Sequence, residues 1–299
     1  IKSIIERACK KHFQISSNKL AVNAYQWSTF TQIRQTLFND KITNFLKKNS
    51  KFFDEKLASR RLSNSKLENI SLYPKNKNME FLADRLINNL TNNGVIFKKT
   101  NFSDLKINNF ENKIKINNEI FDKVIVTTGL QNSQRLFNTN INNDVEHLVS
   151  QIFLYFTVKY VNFKFQYTHI NDIDLICSRI SNCSLYSKLS KEGNNVLIAE
   201  VPLSIENELW ENDEKLKQMA WNEIKKCGMV DDNINYNSVK IIKVKKTVAV
   251  PKVHYYETLN KFKEIINNEY NYKVDFIGQG IISRHNFVKE LLKKYNYKK

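Results

Sequence analysis

Two short segments carry residue types that suit close approach to a cofactor or substrate. The first is Val124-Ile125-Val126-Thr127-Thr128-Gly129, a β-branched run ending on two hydroxyls and a glycine. A strand that ends this way brings backbone near whatever lies beyond the sheet. In open α/β sheets, ligands bind outside the carboxyl ends of strands. An ordinary strand exit with Gly129 as a turn gives the same pattern. The second segment is Val274-Asp275-Phe276-Ile277-Gly278-Gln279-Gly280, followed by Arg284-His285-Asn286 and a helical pattern to Lys294. A glycine-flanked turn opening on a helix N-terminus suits an anion such as a pyrophosphate. A tight connection between packed elements is the plainer alternative. Of the five histidines, only His285 stands in such a segment.

Other chemistries leave no trace. No Ser-His-Asp signature, phosphate-binding Walker loop or HExxH is present. Cys9, Cys177, Cys183 and Cys227 are far apart, form no CxxC pair and have no zinc-like histidine spacing. Reduced thiols in a cytoplasmic protein are the expectation. No apolar run reaches the roughly 18 to 20 residues of a membrane-spanning helix. The net charge of +17 invites a nucleic-acid partner. Only eight of the 47 basic residues are arginine, however, and the lysines are scattered. Arginine supplies the bidentate fork that reads phosphates and bases. Lys, Asn and Ile share AT-rich codons, so base composition accounts for the charge, and no nucleic-acid partner is expected.

The elements that must position these segments follow from periodicity. Residues 1 to about 70 read as helical, with Ile33, Leu37 and Phe38, then Ile42, Phe45 and Leu46 at three- and four-residue spacing. Tyr73-Pro74 closes that region. Met79 to Leu90 reads as an amphipathic helix, stopped at Gly94 by a left-handed cap. Val95-Ile96-Phe97 reads as a short strand. Phe102 to Ile107 and Lys113 to Ile116 alternate as half-buried strands, with a turn at Asn117-Asn118. Strands are then expected over Ile152–Val161, Leu175–Ile180, Asn195–Val201 and Val239–Val250. Helices are expected over Asp213–Lys226 and Thr258–Asn267. Asp213 and Glu214 would favour the first turn of their helix through its dipole. The alternation predicts a mixed α/β protein with interleaved domains.

The joint order of these segments resembles the FAD-dependent amine oxidase superfamily. That group includes protoporphyrinogen oxidases, phytoene desaturases and, more distantly, UDP-galactopyranose mutases. A Tyr-Pro-Lys segment (Tyr73-Pro74-Lys75), a helix, Gly94-Val95, a hairpin and Val124-Ile125-Val126-Thr127-Thr128 follow in the family's order. Ile277-Gly278-Gln279-Gly280 and then His285-Asn286 match its late glycine segment. Arg179-Ile180-Ser181, Ala199-Glu200-Val201 and Val250-Pro251-Lys252-Val253 are similar to its substrate-domain strands. The resemblance covers about residues 70 to 294.

The resemblance implies a fold and a set of roles. The fold is an incomplete FAD-binding Rossmann-like domain, interleaved with a mixed-sheet substrate domain and a helical N-terminal region. Residues 1–70 would be a helical segment of the substrate domain, 71–145 part of the FAD-binding domain, 146–272 the substrate domain, and 273–299 the return to the FAD-binding domain. Thr127, Thr128 and Gly129 would approach the FAD pyrophosphate, and Val95 the adenine. Gly278, Gln279 and Gly280 would touch pyrophosphate and ribityl chain. Asn286 would lie beside the flavin ring. Arg179 is a candidate substrate cation, or equally a surface arginine at a strand end. The implied activity is a fragment of a flavin-dependent oxidoreductase taking a hydride from a small organic substrate. The alternatives are a sugar-nucleotide mutase and a domain that has lost its cofactor. The family's N-terminal GxGxxG is absent from this sequence, which has six glycines. Asn76-Lys77-Asn78 replaces the glycines after Tyr-Pro-Lys, and Gln279 replaces a charged residue. This chain alone is therefore expected to hold FAD poorly.

Overall fold

The computed structural model describes residues 2–22, 24, 40–56, 73–74, 78–141, 144–162, 166–170, 172–185, 194–279, 288 and 291–295. Ile33, Leu37 and Phe38, Gly280 and the Arg284-His285-Asn286 segment lie outside the described residues. The chain divides into two compact units and passes between them more than once. Unit 1 comprises Ile1–Trp27, Thr91–Ser150 and Lys245–Lys299; unit 2 comprises Ser28–Leu90 and Gln151–Val244. The mixed α/β class expected from the alternation is what forms.

Unit 1 opens with helix α1 (Lys2–Phe13), which buries Ala8, Cys9 and Phe13. Later come three short antiparallel strands, β1 (Ile107–Phe110), β2 (Lys113–Ile116) and β3 (Glu119–Phe121). Asn117 turns the chain between β2 and β3 with φ 53°, a left-handed conformation asparagine tolerates. Strand β4 (Val124–Val126) leads into helix α5 (Leu130–Leu136). Near the chain's end, helix α7 (Tyr255–Glu269) buries Tyr255, Thr258, Leu259, Phe262 and Ile266, one helical stripe. It begins three residues before the expected Thr258, where left-handed His254 (φ 70°) breaks the preceding strand direction. Strand β10 (Val274–Phe276) pairs in parallel with β4, Phe276 opposite Val126. Phe137, Phe262 and Phe276 interlock in this core with ring centroids 5.0–6.2 Å apart.

Unit 2 is built on a sheet of order β6-β7-β8-β5-β9. Its strands are β5 (Glu146–Val158), β6 (Tyr167–His169), β7 (Arg179–Asn182), β8 (Asn195–Pro202) and β9 (Ser238–Pro251). The unit boundary falls within β5 and β9. Ile152, Leu154, Phe156 and Val158 alternate onto one fully buried face, as a two-residue period requires. Helix α6 (Asp213–Lys226) covers that face with Leu216, Ala220, Trp221 and Ile224. Asn212 caps it, its Oδ1 accepting the Lys215 N–H at 3.0 Å. The unit also contains helices α2 (Asp40–Asn49) and α3 (Lys51–Lys56) and most of α4 (Met79–Asn92). Edge strand β9 carries Lys240, Lys243, Lys245 and Lys246, charges that discourage edge-to-edge pairing.

Several expectations are corrected. Val95-Ile96-Phe97 forms no strand, because it has no ladder partner among the described residues; Ile96 is 79% exposed. Phe102–Asp104 is a 3-10 turn, and the strand begins only at Ile107. Leu175–Cys177 bends instead of pairing, and β7 starts at Arg179. The expected Ile152–Val161 strand starts earlier, at Glu146, and ends at Val158. Among the described residues, no helix is long and apolar enough to cross a membrane.

Candidate functional site

The parallel pairing of β4 and β10 brings the two segments singled out in the sequence to one sheet edge. The ladder runs through Val126 and Phe276 and ends with the Ile277 N–H on the Val126 carbonyl at 3.0 Å. Thr127-Thr128-Gly129 and Gly278-Gln279 therefore leave the sheet side by side. Gly278 adopts φ 81°, in the left-handed region that favours glycine.

Gln279 locks the two exits together. It is 7% exposed. Its Nε2 donates to the Thr128 carbonyl at 3.0 Å and to Ser133 Oγ at 2.7 Å. Ser133 Oγ also lies 2.9 Å from Thr128 Oγ1. Gln279 Oε1 is buried with no hydrogen-bond partner among the described residues.

Glu146, at the start of β5, is a candidate site residue that sequence reasoning missed. Its Oε2 accepts the Gln131 N–H at 3.2 Å. The carboxylate thus occupies the start of α5, which follows directly from Gly129. Burial raises its pKa, opposed by hydrogen bonds from the Gln131 and Leu130 backbone. It lines a cavity of about 220 Å³ with Gly129, Asn132, Arg135, Lys246 and Thr247. Thr247 Oγ1 is also buried without a partner. The signal in the sequence was faint: Glu146 has the parity of the inward positions Ile152, Leu154 and Phe156 of the same strand.

The remaining expected residues are placed differently. Val95 lies outside any helix or strand and is exposed. Arg179 lies in unit 2 on β7, where its Nε donates to Glu200 Oε1 at 2.8 Å and its Nη2 meets the same oxygen. Glu200 Oε2 accepts from Gln151 Nε2 at 3.0 Å. The guanidinium sits 6.0 Å from the Tyr167 ring centroid, so ion pair and aromatic face together fix it.

No protein-family model matches the sequence, and no curated protein matches it. Solved structures do. A reduced UDP-galactopyranose mutase aligns at 12% identity with a TM-score of 0.58, covering 91% of this chain and 57% of the mutase. The chain shares the fold of that mutase over most of its length. It spans a little over half of the mutase's length. A protein from Exiguobacterium sp. 255-15 assigned as a protoporphyrinogen oxidase aligns at 14% identity and TM-score 0.47, over 64% of this chain and 45% of that one. Wild-type putrescine oxidase bound to putrescine aligns at 8% identity and TM-score 0.37, over 61% and 44%. At these identities the likeness is one of fold.

The described residues offer a mixed set of groups to the cofactor that the sequence resemblance implies. A pyrophosphate needs hydrogen-bond donors or cations. Both amide hydrogens of Gln279 are taken by Thr128 and Ser133, and Glu146 places a carboxylate at the start of α5; Arg135 and Lys246 are the cations that line the cavity with it. Two side-chain oxygens are left without a partner among the described residues: Thr247 Oγ1, which can donate or accept, and Gln279 Oε1, an acceptor. Gln279 Oε1 fits a hydroxyl, as on a ribityl chain, and not a phosphate oxygen.

Proposed function

We propose that this chain is the larger part of an FAD-dependent oxidoreductase, whose flavin takes a hydride from a small organic molecule. The observation that carries the reading is the fold shared over 91% of the chain with a flavin-fold mutase. The junction of β4 and β10 at Gln279 supports it, because it lies at the carboxyl edge where such sheets hold ligands. In this reading Gly278 and Gln279 face the polyol stretch of FAD. The pyrophosphate is held by a dinucleotide-binding βαβ segment with GxGxxG, which this sequence does not contain. The cofactor supplies the redox chemistry; the protein supplies position and electrostatics.

A second reading is a mutase that uses reduced flavin without net oxidation. The mutase fold covers 91% of this chain, which favours it. Both readings are tested by joining the chain to the sequence encoded upstream and recording the visible spectrum of the purified product. A bound flavin is expected. A colourless product that takes up no added FAD would leave only a domain that keeps the fold without the cofactor. If flavin is bound, net reduction by substrate marks the oxidoreductase, and turnover only after prior reduction marks the mutase.

A further inference from the structure

Unit 1 contains a second cavity, of about 550 Å³, that shares Arg135 with the Glu146 cavity and no residue with the Gln279 junction. That volume lies within the range of small-molecule sites. It opens between the chain leading into β1 and the end of α5. Phe102, Leu105, Ile107 and Leu136 give it an apolar side, and Phe102 presents an exposed ring. Lys106 and Arg135 also line it. None of the lining residues is acidic. Neither cation has an ion-pair partner among the described residues. The nearest acid in sequence, Asp104, is engaged by Asn101 Nδ2 and Ser103 Oγ, both at 3.1 Å.

The walls are fixed before any ligand arrives. The Lys106 N–H donates to Asn117 Oδ1 at 2.9 Å, and its carbonyl accepts the Asn117 N–H at 2.9 Å. Tyr270 OH donates to the Ile107 carbonyl at 3.4 Å. On the other side, Asn138 turns the chain with φ 51° and donates its N–H to the Arg135 carbonyl at 3.3 Å. Pre-organised walls lower the ordering cost of binding.

We propose that this cavity binds an organic anion of mononucleotide size, with a flat ring on the apolar side and a phosphate between Lys106 and Arg135. Two cations with no ion-pair partner among the described residues favour an anion, and the arginine fork suits phosphate oxygens. The apolar wall beside Phe102 gives the ring area to cover. Asn108 and Asn138 offer amide groups to the polar atoms between ring and phosphate. The site does not depend on the flavin reading, since it uses none of Thr127–Gly129, Gly278 or Gln279.

The test is calorimetric titration of the full chain with AMP, adenosine and inorganic phosphate. AMP is expected to bind, and adenosine and phosphate each about tenfold or more weakly, because each keeps half of the contacts. Lys106→Gln is expected to weaken AMP binding about tenfold, on the scale of one charged hydrogen bond. Lys106 is exposed, so the variant removes charge without disturbing the core; Lys99→Gln, at an exposed lysine outside the cavity, should leave binding unchanged. Absence of AMP binding would overturn the proposal, as would phosphate binding as tightly as AMP or Lys106→Gln binding like the parent chain. Flavin uptake is read separately by visible absorbance, so either claim can fail while the other stands.

Discussion

Gln279, beyond the end of β10, hands one amide hydrogen to the carbonyl of Thr128, beyond the end of β4, at 3.0 Å. The residues are 151 positions apart in the chain. Their bond closes the edge of a two-stranded parallel sheet, beside the Ile277 N–H on the Val126 carbonyl and the Gln279 contact with Ser133. Gln279→Ala leaves the Thr128 carbonyl without this donor and opens the contact with Ser133. Loss of about 1–3 kcal/mol in urea unfolding is expected. Gln279→Glu should cost at least as much, because a carboxylate facing the Thr128 carbonyl has no hydrogen to give. Parent-like stability in both variants would show that the junction is held elsewhere.

In unit 2, Glu223 does comparable work from within α6. Its Oε1 accepts the Ile176 N–H at 2.6 Å and its Oε2 the Cys177 N–H at 2.8 Å. The side chain is buried. Glu223→Ala would strand two backbone donors, and a loss of about 2–4 kcal/mol is expected. Glu223→Gln keeps one acceptor and should lose less. Hydrogen exchange at Ile176 and Cys177 distinguishes this from general loosening: those two amides should lose protection before the β5–β8 ladder does.

These two contacts also explain where the sequence was legible and where it was not. Helix α6 is readable to the residue because its signals are local: Asn212 as cap, acids in the first turn, an apolar stripe, and Gly228 (φ 71°) after its end. Leu175–Ile180 has the composition of a strand, yet Leu175–Cys177 bends. The partner that takes its amides is a carboxylate 46 residues away, which no window of sequence reveals. Helix α5 went unread for the same reason. It has only seven residues, a glycine at its N-cap and no side-chain cap of its own; the group at its start is Glu146. Val95-Ile96-Phe97 fails in the opposite sense. Its strand propensity is real, but a strand needs a neighbour, and none stands beside it among the described residues. Thr127–Gly129 and Gly278-Gln279 were legible as segments. Their meeting depends on the parallel register of β4 with β10, and Gln279 as the bridge between them was not legible.

Asp275 on β10 faces Lys123 Nζ at 2.8 Å, Lys294 Nζ at 2.7 Å and Tyr295 OH at 2.6 Å. Burial pushes its carboxyl up, but hydrogen bonds from Lys123, Lys294 and Tyr295 outweigh this and hold the pKa at about 2. A folded pKa below the ordinary 3.8 means that its stabilisation is full above that value and fades as pH falls toward 2. Asp275→Asn is expected to cost about 2–3 kcal/mol at neutral pH. The gap between variant and parent should narrow on acidification through that window. A gap independent of pH would assign the loss to packing.

His147 ties α1 to the first residues of β5. Its Nε2 lies 2.7 Å from the Phe13 carbonyl, which makes Nε2–H the donor and the neutral ring sufficient for the bond. Burial lowers its pKa below the ordinary 6.5, the Phe13 hydrogen bond opposes this, and Lys252 adds to the lowering. With the folded pKa below the unfolded one, the unfolded chain binds the proton more readily. Stability contributed here is therefore present above the unfolded value and declines as pH falls through it toward the folded value. The parent chain should lose thermal stability between about pH 7.5 and about pH 5.5, the range where histidine titrates. His147→Gln keeps an amide donor for Phe13 and removes the titration, so its loss over the same range should be smaller. Proteolysis within residues 2–22 reports the same event locally, because α1 is the element that His147 retains. Equal pH dependence in parent and variant would place the acid sensitivity at some other group.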